Sequence, residues 1–246
     1  MAGMGAAGLS YEEMAKRISL KMGGLGYDLA TGFSADARTN WQKMIFSFKA
    51  LYRNLPDAIS TVTDIIFAGD LSAETRMRDL ISERKNNLQS AIVPSGHIFA
   101  RMAAGASLTL PAYRDEQWHG RTQLKFVQSK ANSFESIKEN LREKLQELKE
   151  ILFNKNHLTI NLTAEEQGLT IAEDNITALL HQLPESATKR EVATPLLAPV
   201  SVGICIPAQV SYVASVLKAP PYIDPAAALL MIAARELSDS YLYKHI

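Results

Sequence analysis

Phe134, Ile137, Leu141, Leu145, Leu148 and Leu152 recur three or four residues apart between Ser133 and Phe153, and Glu, Lys and Arg fill most positions between them. This spacing specifies an amphipathic α-helix with one apolar stripe. Such a helix cannot bury its stripe alone, so the chain must fold as layers in which the helix covers another element. Glu139 with Arg142, and Lys144 with Glu147, stand three apart and are expected as surface pairs on its outer face.

The rest of the chain is read against that helix. Tyr11 to Lys21 predicts a short helix, and Leu25 to Phe33 and Trp41 to Tyr52 predict two strands joined by a polar turn. Leu55 to Phe67 is helical after Pro56, which suits a first helical position, and Gly69 and Asp70 close it. Ser72 is expected to cap a longer helix running to the break at Pro94 to Gly96. From His97 to Leu108 the apolar face consists of Ala100, Ala103, Ala104 and Gly105, so a neighbouring backbone must approach closely to fill the space, and this helix is expected to be central. Leu110 to Lys130 predicts one further helix. His157 to Thr163 alternates Leu158, Ile160 and Leu162 as a half-buried strand, and a helix follows from about Ala164 to Leu183. Pro184 to Pro199 has turn residues and little periodicity, which places a domain boundary there. Val200 to Ile206 and Gln209 to Val216 read as strands. Pro225 opens a last helix with Leu229, Ile232, Ala233, Leu237 and Tyr241 on one face. The order of elements predicts an α+β class, with helices packed on a mostly antiparallel sheet.

Composition narrows the partners. With 47% hydrophobic and 21% charged residues over 246 positions the chain is globular, and 26 basic against 26 acidic residues leave no net field to attract nucleic acid or an anionic membrane. Neither is expected as a partner. No stretch is long and apolar enough to span a bilayer, and the first residues lack the basic start and apolar core of a signal peptide; secretion cannot be read from a start that lies inside a longer protein, so the compartment is left open, with the cytoplasm favoured. Asn161 and Asn175 match the glycosylation sequon, which carries little weight without secretion. The single Cys205 excludes an internal disulfide and, within an apolar run, is expected as a small buried side chain rather than a nucleophile.

No complete catalytic constellation is legible. A zinc peptidase helix carries H-E-x-x-H or H-x-x-E-H, which puts two nitrogen ligands and a base on one face, and none of His97, His119, His157, His181 and His245 has that spacing. Glu116 and His119 form E-x-x-H, the half-motif of di-iron bundles, in a single copy. Gly3, Gly5 and Gly8 match G-x-G-x-x-G, but no strand precedes them to aim the glycines at a pyrophosphate. Glu165 and Glu166 suit the positive end of a helix better than acid/base work. Ser95 and His97 are near neighbours without an orienting acid. No catalytic, cofactor-binding or metal residue is therefore assigned.

Ile81 to Ala100, continuing to Tyr113 to Gly120, resembles the C-terminal half of zinc peptidases of the pitrilysin and insulinase family, in its presequence-protease-like branch. Gly23 and Gly24, Leu158 to Thr163, and Ala227 to Leu242 fit the same family in the same order, so the resemblance covers almost the whole chain from Tyr11. It implies a non-catalytic peptidase-associated domain over residues 11–190 and the opening of a similar domain over 191–246, within a longer protein. Members of the family enclose unfolded peptides between two halves, and only their first domain holds zinc through H-x-x-E-H. The implied partners are the N-terminal catalytic half of the same protein and an unstructured peptide, and the implied cofactor is zinc in an upstream domain, with none in this chain. The alternative is a scaffold or interaction domain whose parent has lost the zinc site.

Overall fold

Ser10 and Glu13 open the first helix as a reciprocal cap. Ser10 N–H donates to the Glu13 carboxylate at 2.8 Å and Glu13 N–H to Ser10 Oγ at 3.3 Å, satisfying two donors that the first turn would otherwise leave unpaired. In the computed structural model, which describes residues 3–185, 195, 197 and 201–245, the elements follow in the order α1 (Tyr11–Lys21), β1 (Leu25–Phe33), β2 (Asn40–Phe48), α2 (Leu55–Ala68), α3 (Glu74–Ala91), α4 (Gly96–Gly105), α5 (Leu110–His119), α6 (Arg121–Asn132), α7 (Phe134–Leu152), α8 (Glu166–Gln182) and α9 (Pro225–Glu236). A π-helical continuation, Leu237–Leu242, extends α9. The chain divides into two compact units, one of residues 1–28, 44–87 and 126–192, the other of residues 29–43, 88–125 and 193–246.

The first unit is built around α2. Its sequence is apolar on more than one side, and the helix buries Ala58, Ile59, Thr61, Val62, Ile65 and Ile66, as expected of a helix enclosed on several faces. One cluster packs Met22, Ala58, Val62 and Ile66 with Phe48 and Phe153, a second packs Ala6, Met14 and Ile65, and a third packs Met4, Met77 and Phe134 with Leu141 and Leu145. Phe134, Leu141 and Leu145 of the α7 stripe thus reach the core, whereas Leu148 of the same stripe is 48% exposed. Arg17 ties α1 to α2 through Asp64 at 2.6 Å, and Lys149 Nζ donates to the Phe67 carbonyl at 2.8 Å, a cation at the negative end of α2. The surface pairs of α7 form as expected, Arg142 with Glu139 at 2.5 Å and Lys144 with Glu147 at 2.8 Å.

Several expectations are corrected. The described sheet is a two-stranded β1–β2 hairpin, so the architecture is mostly helical and the sheet is minor. Leu158 to Thr163 forms no strand: its three apolar residues are each more than a third exposed, and no partner among the described residues supplies the ladder. Alternation specifies only one side of a strand, because the backbone groups still need a neighbour. Residues 201–206 and 209–216 likewise form no strand, with bends at 209 and 210; Val200 and the expected boundary between Arg190 and Glu191 lie outside the described residues. Cys205 is exposed, not buried. The single helix expected over Leu110 to Lys130 is broken at Gly120 into α5 and α6. The last helix begins at Pro225 as expected, yet buries no residue; Leu229, Leu230, Met231 and Ile232 are all at least half exposed.

Ser72 does not cap α3 with its side chain. Its hydroxyl donates to Asp70 Oδ1 at 2.6 Å and its N–H donates to the same oxygen at 2.8 Å. These bonds, the hydroxyl first, hold the Asp70 carboxyl below its usual range. A depressed carboxylate contributes stability that is present above its unfolded value and is lost as pH falls through the folded one. Urea titrations of Ser72→Ala should therefore show a small deficit at neutral pH that disappears on acidification through the carboxylate range; a deficit independent of pH would contradict the assignment.

Candidate functional site

The described residues bring together no group of three or more His, Cys, Asp or Glu side chains able to hold a metal ion. In the second unit Glu116 is nonetheless a buried carboxylate, 6% exposed. Its Oε1 accepts the Thr122 N–H at 3.0 Å and its Oε2 accepts Gln117 Nε2 at 3.1 Å. The carboxylate therefore satisfies an N–H in the first turn of α6 and meets the positive end of that helix. Gly120 makes this geometry possible, because a Cβ there would lie 2.7 Å from the Glu116 carbonyl oxygen and 2.9 Å from its Oε1. His119 does not join Glu116. Its Nδ1 lies 2.8 Å from Asp115 Oδ1, one helical turn back. The E-x-x-H pair is thus two separate contacts, a helix cap and a half-buried surface pair.

The other candidates resolve in the same way. Gly5 lies where a Cβ would collide with the Leu9 carbonyl, and Gly8 has a positive φ of 80°, so the glycines shape a tight turn. Met4 and Ala6 of that turn are core residues, and Ala7 N–H and Gly5 C=O bond to Ala68 and Asp70. Glu165 and Glu166 stand at the N-terminus of α8, as their charge suits. Ser95 is the N-cap position of α4, and the His97 ring faces Tyr212 at 6.4 Å between centroids. Asn175 lies within α8, bonded to the Ile171 carbonyl at 2.7 Å.

The close approach expected from the small residues of α4 is present. The Tyr212 ring rests on Gly96, in the space a Cβ would occupy, and its hydroxyl donates to the Val93 carbonyl. Four residues on, Val216 stands 3.7 Å from where a Cβ of Gly105 would be. Nine residues of helix rise about 13.5 Å and four extended residues span about 13 Å, so the segment keeps pace with α4 from its first turn to its last. Periodicity announces the recess; which segment fills it carries no local signal.

Comparison with known proteins gives these features a context. The family model for "Peptidase M-16C associated" matches residues 1–129. Presequence protease, mitochondrial, of Mus musculus is 26% identical over 278 aligned residues, covering 99% of this chain and 26% of the relative. The Danio rerio protein of the same name is 28% identical over 81% of the chain, and presequence protease 1, chloroplastic/mitochondrial, of Arabidopsis thaliana is 23% identical over 85%. The chain spans a fifth to a quarter of the length of these relatives. No helix among the described residues is long and apolar enough to cross a membrane. With more than half of its residues matched by the family model, the chain belongs to the peptidase-associated family that accompanies peptidases of the pitrilysin and insulinase type.

Proposed function

We propose that this chain is a non-catalytic domain of a zinc metalloendopeptidase that degrades unstructured peptides, and that it forms part of the wall of the chamber enclosing them. The family match carries the reading, since it joins the chain to an associated region of peptidases. The donor set of the described residues does not fit zinc: Glu116 is spent on α6 and His119 on Asp115. The family resemblance puts metal chemistry in an upstream domain of the parent, and on this reading the chain contributes binding and the exclusion of folded proteins by size. On this reading residues 11–190 form one domain and 191–246 open the next, with the N-terminal catalytic half of the same protein as partner. A reducing compartment such as the cytoplasm suits the exposed thiol of Cys205.

The test is hydrolysis of a fluorogenic unstructured peptide. The purified chain alone should give no chelator-sensitive turnover with zinc added, and the N-terminal half supplied in trans should turn over faster with the chain than without it. Chelator-sensitive turnover by the chain alone, or no effect on the N-terminal half, would overturn the reading.

A further inference from the structure

We draw no further inference here: the strongest candidate, the exposed apolar face of α9 around Leu229 and Ile232, gives no ground for one, because nothing among the described residues shows what covers it.

Discussion

Ile65→Ala is expected to destabilise the first unit by about 2–5 kcal/mol, the range for removing a large aliphatic side chain from a packed interior. Ile65 is 2% exposed and packs with Met14, which is fully buried, and with Ala6, while Leu9, Ile18 and Leu25 close the cluster from outside. The cluster joins the N-terminal turn, α1, the start of β1 and α2. Collapse into the vacated space is hindered by neighbours that are themselves fixed: Ala7 is bonded to Ala68, and Arg17 is paired with Asp64. The cost should therefore lie in the upper half of the range. For a body of this size each kcal/mol corresponds to roughly 2–4 °C or somewhat more, so the melting temperature should fall by on the order of 10 °C. Ile65→Val, which removes one methylene, should cost about 1 kcal/mol. The comparison separates a packed core from a loose one: if both variants melt within a degree or two of wild type, Ile65 does not sit in a close-packed interior. A third variant, Leu229→Ala on α9, where the side chain is 68% exposed, should leave the melting temperature almost unchanged.

The contrast between Ile65 and Leu229 shows what could be read from the sequence and what could not. Both lie in apolar helical patterns that begin after a proline, and each pattern correctly locates its helix. A periodic pattern states which side chains need cover, but the cover itself comes from elsewhere in the chain. For α2 it comes from α1, the base of the hairpin and the N-terminal turn; for α9 nothing among the described residues supplies it. The same reason explains the missing strands. Leu158 to Leu162 alternates as a strand should, yet a strand is a property of two segments, and no neighbour among the described residues is paired with it. Gly96 and Gly105 show the limit from the other side. The recess on α4 is legible because small side chains must be met by a close backbone, whereas its occupant lies 119 residues from the carbonyl that anchors it. The break at Gly120 is legible in principle, because a glycine following an acidic residue by four positions fits a helix end whose carboxylate turns to cap the next helix. The polarity of Leu110 to Lys130 continues on both sides of the break and hides it.

Glu116→Ala is expected to cost about 2–3 kcal/mol, chiefly in the second unit. The Thr122 N–H loses a charged acceptor, a bond worth about 1.5–3 kcal/mol, of which the helix cap accounts for roughly 1 kcal/mol. Glu116→Gln separates the cap from the charge. The amide oxygen of glutamine can still accept from Thr122, so most of the stability should remain, with a loss of about 1 kcal/mol from the weaker, uncharged bond and from the nitrogen that then faces Gln117. Gly120→Ala should behave like the loss of the cap, because its Cβ would lie 2.9 Å from both Glu116 Cγ and Oε1 and would force the carboxylate away. Denaturant titrations should place Glu116→Ala and Gly120→Ala well below Glu116→Gln in stability. A metal-binding role for Glu116 and His119 predicts a different pattern: zinc would raise the melting temperature of the wild-type chain, and Glu116→Gln would abolish that rise while His119→Ala did the same. The capping geometry predicts that zinc shifts none of them. The ranking of glutamine against alanine in place of Glu116, together with the response to zinc, therefore decides whether this buried carboxylate holds a helix or an ion.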